Sequence, residues 1–191
     1  MTIGEIYVLR SQGRVEDAYE AARSLYADDK GPQVSTIMFL TASDVRQKRL
    51  DAGMLEEADK IGRALKRLQQ QTPEHLLLGC WGEETAAAYL CDKGYIIMER
   101  DWHSGHRDID IIARYDGCLV FIEVKTRHDR DYIEPELAVN YQKKKNLRLS
   151  INHYVKYHRV SVPWRFDVIT IIGSLGDSAP EINHIEDFSI I

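Results

Sequence analysis

Asp108-Ile-Asp-Ile-Ile-Ala-Arg-Tyr-Asp-Gly-Cys-Leu-Val-Phe-Ile-Glu-Val-Lys125 is the stretch whose reading decides the fold. Two alternating apolar runs flank Asp116-Gly117, a dipeptide that tolerates positive φ at both positions and so signals a two-residue hairpin loop. With that loop, Tyr115 faces Cys118 and each residue outward pairs in turn. Asp110 then falls opposite Glu123, and Asp108 opposite Lys125. Side chains alternate with period two, so all four project from one face. Like charges facing each other at about 5 Å between Cβ atoms oppose folding. Two carboxylates placed this way share either a proton or a cation. The adjacent lysine favours the cation and points to a metal-assisted phosphodiester hydrolase. The competing reading is a surface hairpin in which Asp108 pairs with Lys125 and the two acids tolerate each other.

The chemistry follows from the ligand types. A hard divalent cation, Mg²⁺ or Mn²⁺, takes oxygen ligands and keeps several waters. Asp110 and Glu123 supply carboxylate oxygens, and the Val124 carbonyl is a candidate third ligand. A metal-bound water is acidified into a nucleophile. Lys125, on the face of Glu123, is placed to orient that water or to neutralise phosphoryl charge. Asp108 is expected to hold Lys125 or to join a second ion.

Outward from the hairpin, the pattern is helix, three strands, helix, strand, an α+β arrangement with a mixed sheet. Thr72-Pro73 opens a helix that ends at Lys93-Gly94. Strands are expected over 95–102 and 164–172, and a long helix over 134–158 with Leu147, Ile151, Tyr154, Val155 and His158 on one face. Residues 1–71 read as a separate all-helical module, and 72–191 as the domain that carries the hairpin. In the first, Gly13-Arg-Val-Glu-Asp-Ala-Tyr-Glu-Ala-Ala-Arg-Ser-Leu25 aligns with Gly53-Met-Leu-Glu-Glu-Ala-Asp-Lys-Ile-Gly-Arg-Ala-Leu65, an offset of 40 residues. Helix, glycine turn and helix with alanine at close approaches resembles a tetratricopeptide unit. A plain four-helix accessory bundle is the other reading.

Apolar residues make up 44% and charged residues 29%, as in a soluble domain with a real core. Cys80, Cys91 and Cys118 form no CxxC pair, which argues against a disulfide scaffold and fits a reducing, cytoplasmic compartment. No stretch suggests a membrane span. The net charge of −5 disfavours a polyanionic partner at first sight. Between Leu137 and Phe166, however, there is no acid, while Lys143, Lys144, Lys145 and Arg148 fall inside. Such a stretch is either a phosphate-binding face or a solvated helix face. Arg127 and Arg130, in a polar segment after the hairpin, are further candidates to grip phosphates.

Several of these pieces, taken together, resemble the YraN family of predicted endonucleases. They are Gly79-Cys-Trp-Gly-Glu-Glu-Thr-Ala-Ala-Ala-Tyr-Leu90, Lys93-Gly-Tyr-Ile-Ile-Met-Glu-Arg100, Asp108-Ile-Asp-Ile-Ile-Ala113, Leu119-Val-Phe-Ile-Glu-Val-Lys-Thr-Arg127, Arg165-Phe-Asp-Val-Ile169 and Ile182-Asn-His-Ile-Glu186. That resemblance implies the restriction-endonuclease-like PD-(D/E)XK superfamily, with similarity to Holliday junction resolvases. It implies a mixed sheet flanked by helices, catalytic roles for Asp110, Glu123 and Lys125, and an additional metal-binding glutamate at Glu83. The family's Gly-Glu-Ile-Asp is here Arg107-Asp108-Ile109-Asp110, which puts a cation beside the site and withdraws one carboxylate by a methylene. DNA, especially branched or structured DNA, is the implied substrate, and a homodimer is admitted because related resolvases work as dimers. Two alternatives stand beside it. One is a non-catalytic nucleic-acid-binding module, the other an adaptor that engages a protein partner through residues 1–71.

Overall fold

A computed structural model describes residues 1–105, 107–128 and 141–190, with the side chains of Ser104, Arg107 and Tyr141 outside the description. The chain divides into two compact units, Met1–Trp81 and Gly82–Ile191.

The first unit is helical: α1 (Ile3–Ser11), α2 (Val15–Asp28), α3 (Pro32–Asp51), α4 (Leu55–Gln71) and the start of α5 (Glu74–Asp92). A capping box opens α1, with Thr2 Oγ1 accepting from Glu5 N–H and the Glu5 carboxylate accepting from Thr2 N–H. The internal repeat has a structural counterpart. Gly13 and Gly53 adopt φ of 73° and 72°, and the residue after each closes the same loop: Arg14 N–H donates to Leu9 O, Met54 N–H to Arg49 O. This is the helix-ending geometry that needs a left-handed residue. The matching alanines, Ala18 and Ala58, are both fully buried. Central α3 buries Ile37, Leu40 and Val45. Its buried Thr41 hydroxyl donates to Ile37 O, so no polar group is stranded there.

The second unit holds the rest of α5, then β1 (Ile96–Ser104), β2 (Arg107–Tyr115), β3 (Cys118–Arg127), α6 (Tyr141–Tyr157), β4 (Trp164–Ile172) and β5 (Glu181–Ile185). The mixed α+β class and the leading helical part are as the sequence indicates. The sheet order is β1-β2-β3-β4-β5, antiparallel except for the β3–β4 pair. Asp116 and Gly117 take φ of 47° and 73°, and Tyr115 pairs with Cys118, which is the predicted register. The parallel β3–β4 pair needs a crossover connection, and α6 lies in it. Leu147, Ile151 and Tyr154 of that helix pack on Ile112, Phe121, Phe166 and Val168, with Val155 alongside. Burying each such side chain stabilises by roughly 1.5–3 kcal/mol. The expected helical residues 134–140 lie outside the described residues.

The sequence pattern does not signal β5 as a strand. It is short, edge-placed and interrupted by Asn183 and His184, so its periodicity is weak. It is fixed by pairing with β4 from Val168–Ile185 to Ile172–Glu181. Among the described residues no helix is long and apolar enough to cross a membrane.

Candidate active site

The hairpin ladder runs from Tyr115–Cys118 to Ile111–Ile122. Beyond that point β2 continues on β1 as far as Arg107–Ser104, while β3 continues on β4 as far as Arg127–Ile172. The sheet therefore forks where Asp110 and Glu123 would have been the next pair. Asp110 Oδ2 accepts a 2.6 Å hydrogen bond from the Val124 N–H, so a side chain replaces the next ladder rung.

Glu123 is 1% exposed. Its Oε1 accepts from Lys125 Nζ and lies 3.1 Å from Lys143 Nζ. Its Oε2 is buried with no hydrogen-bond partner. Leaving a buried carboxylate oxygen unmatched is costly. Asp110 is pushed well above the ordinary carboxylate range by burial first and by the Glu123 charge next; the Val124 hydrogen bond and Lys125 only partly offset them.

Glu83 reaches this region on α5. Burial raises it to about 7, with Arg100 opposing and Asp101, Glu84 and Asp108 adding to the rise. Gly82 explains the close approach of this helix. A Cβ built there would lie 1.8 Å from Thr126 Oγ1 and 2.9 Å from Thr126 Cβ, so the helix backbone sits directly on β3. Next to Glu83, Glu84 pairs with Arg100 at 2.6 Å.

One sequence expectation needs correction. Asp108 does not face Lys125: in the ladder it pairs with His103, and its exposed carboxylate lies 3.3 Å from Lys143 Nζ. The cause is the fork, which ends the hairpin register at Ile111–Ile122, three steps before that pair. Lys143, from the acid-free basic stretch, turns toward Glu123 and Asp108. Burial works against its charge, yet Glu123, Asp108 and Asp110 more than compensate and raise its pKa. A signal for this existed in the sequence, because Lys143 is four residues before Leu147 and shares the helical phase of Leu147, Ile151 and Tyr154. The neighbouring Lys144 lies over the Phe188 ring, 4.8 Å from its centroid, while Lys145 and Arg148 are exposed.

Arg127 is exposed, and its guanidinium donates to Thr126 O. Position 107 opens β2, and Arg130 lies outside the described residues. On the other face of β4, Asp167 is fully buried between Arg165, His184 Nε2 (2.9 Å) and the Asp187 N–H (3.0 Å). Burial raises its pKa, but those partners outweigh it and hold the group low. Asp167 therefore anchors the segment after β5 and has no free valence for an ion.

Among the described residues no group of three or more His, Cys, Asp or Glu is gathered for a metal. The donor set is a pair of carboxylates, Asp110 and Glu123. That set fits a hard ion that keeps most of its waters, and the unmatched Glu123 Oε2 is the atom such an ion would satisfy.

Relatives place the chain. The sequence model of the uncharacterised protein family UPF0102 matches residues 82–171, within the second unit. A UPF0102 protein of Phocaeicola vulgatus is 44% identical over 115 residues, covering 60% of this chain and 93% of the relative. One from Bacteroides fragilis is 41% identical over 114 residues, covering 60% and 93%. One from Syntrophomonas wolfei is 41% identical over 109 residues, covering 56% and 93%. The YraN resemblance drawn from the motifs thus holds at the level of the family. The chain belongs to the uncharacterised protein family UPF0102.

Proposed function

We propose that the chain is a metal-dependent nuclease of the PD-(D/E)XK superfamily, hydrolysing phosphodiester bonds of branched or otherwise structured DNA in the cytoplasm. One observation carries the reading: a buried glutamate with one unmatched oxygen stands beside a second carboxylate at a fork in the sheet, with two ammonium groups on its other oxygen. An acidic pair kept this way has little structural purpose and a clear electrostatic one.

Asp110 and Glu123 would hold Mg²⁺ or Mn²⁺, with the Val124 carbonyl as an additional oxygen donor and Glu83, which is not gathered with the pair, reaching the ion through its retained waters. Bound there, the ion would acidify a water and neutralise phosphate charge. The chain's own residues do the rest. Val124 N–H fixes the Asp110 carboxylate in place. Lys125, tethered to Glu123, orients the attacking water and stabilises the developing charge on phosphorus oxygens. Lys143, between Glu123 and Asp108, adds positive charge on the substrate side. Lys145, Arg148, Arg127, Arg107 and Arg130 extend the phosphate contacts, and a homodimer would present two such sites to a branched substrate. In the first unit, the paired glycine turns at an offset of 40 residues support a tetratricopeptide-like module that serves a protein partner.

The test is cleavage of linear, flapped and four-way DNA with and without Mg²⁺, with Lys125→Ala as control. Metal-dependent cleavage that falls by about 10²-fold or more in the variant is the expected result. No cleavage by the parent, with DNA binding unchanged in Lys125→Ala, would replace the enzyme with a non-catalytic binding module.

A further inference from the structure

Between α3 and α4 lies a groove of about 570 Å³, within the range of ligand sites. Phe39 and Leu65, both half-buried, give it apolar walls, and Arg46, Arg63 and Lys66 line it. Gly62 lets the Arg46 side chain in: a Cβ at that position would lie 3.1 Å from Arg46 Nε. That Nε is buried and has no hydrogen-bond partner. Elsewhere on the same unit, Arg10, Arg14, Arg23, Lys48 and Arg49 each have a carboxylate partner. Among the described residues, Arg46, Arg63 and Lys66 make no ion pair, although Asp59 also lines the groove. Three cations without an ion pair, against the one acid Asp59, leave a net positive charge round an apolar slot, a site for an anion that brings an apolar group with it.

We propose that this groove binds a short acidic peptide segment of a partner protein. One carboxylate pairs with Arg46, an apolar side chain enters between Phe39 and Leu65, and Arg63 and Lys66 hold a further carboxylate at the rim. A nucleic-acid strand fits less well. Beyond the groove the first turn of α4 carries Glu56 and Glu57, so a long polyanion following the helix meets repulsion that a few residues avoid. This inference is independent of the nuclease reading.

The full chain, in EDTA, is titrated into a fluorescein-labelled Asp-Glu-Leu-Asp-Glu-Phe peptide with a free carboxyl terminus. Two controls run in parallel: the peptide with Asn and Gln in place of its acids and an amidated end, and a labelled twelve-nucleotide single strand. Arg63 and Lys66 are exposed, so R63E/K66E leaves the fold intact, as its circular dichroism will verify. The acidic peptide should bind saturably, the neutral peptide at least tenfold more weakly, and R63E/K66E should lose about tenfold or more toward the acidic one. The proposal is overturned if the acidic peptide does not bind, or if its binding is the same in R63E/K66E. It is equally overturned if the oligonucleotide binds more tightly than the peptide and loses that binding in R63E/K66E, which would make the groove a nucleic-acid surface.

Discussion

The backbone N–H of Val124 donates a 2.6 Å hydrogen bond to the carboxylate of Asp110, 14 residues earlier in the chain. This bond stands where the hairpin ladder stops, and it lets the two strands part without stranding a backbone donor. The residue that opens the fork is thus also the one whose charge the fork concentrates. Asp110→Asn separates the two roles, because the amide oxygen still accepts from Val124 while the charge is gone. The metal-free variant should be as stable as the parent or more so, by on the order of 1 kcal/mol, since burial and Glu123 both oppose the ionised form. Cleavage should fall by about 10²-fold or more. Thermal melts and a cleavage assay together check this; a variant that unfolds would show the acid to be structural.

Lys143 distinguishes a site residue from a member of a basic patch. Lys143→Met removes the ammonium 3.1 Å from Glu123 and keeps the aliphatic stem. We expect cleavage to drop by about tenfold or more. Lys145→Met should instead leave turnover intact and lower the salt dependence of DNA binding by about one contact. Equal behaviour of the two variants in salt-titrated binding and in turnover would place Lys143 with the surface lysines.

Gly82→Ala tests the approach of α5 to β3. The added methyl would meet Thr126 Oγ1 at 1.8 Å, too close for side-chain adjustment alone, so helix or strand must shift. Overpacking of this kind costs about 1–3 kcal/mol. Denaturant melts should show that loss. An unchanged midpoint in Gly82→Ala would mean that the helix does not rest on the strand.

The pH profile of the metal-free protein should slope downward across the carboxylate range. Glu83 is raised from 4.5 to about 7, so between those values the folded state keeps a proton that the unfolded state has released. Stability is then greatest below the lower value and declines as pH rises to the upper one. Asp110, raised as well, acts in the same direction. A bound divalent ion favours the ionised acids, so Mg²⁺ should flatten the decline and bind more tightly as pH increases. Melting temperatures from pH 5 to 8, with and without Mg²⁺ and with Glu83→Gln, test this. A flat metal-free profile would remove the case for strained carboxylates at the fork.

Much of this protein was legible residue by residue. The Asp116-Gly117 loop, the strand β4, the helix stripe through Leu147, Ile151 and Tyr154, and the glycine turns of the first unit follow from local rules: positive φ, period two, period 3.6. Local rules act over a few residues, and these elements need no more than that. The weak strand β5 was missed because only its ladder with β4 makes it a strand.

What sequence alone determined is the hairpin register from Tyr115–Cys118 to Ile111–Ile122, which leaves Asp110 and Glu123 at the end of the same ladder, because a two-residue turn leaves the pairing no freedom. Tertiary structure decided where that register ends. β3 is claimed by its parallel partner β4 and β2 by β1, so the strands diverge at Asp110, Asp108 is turned away from Lys125, and a lysine from a distant helix fills the place beside Glu123. No spacing in the chain encodes that competition between neighbouring strands, since it exists only once the whole sheet has assembled.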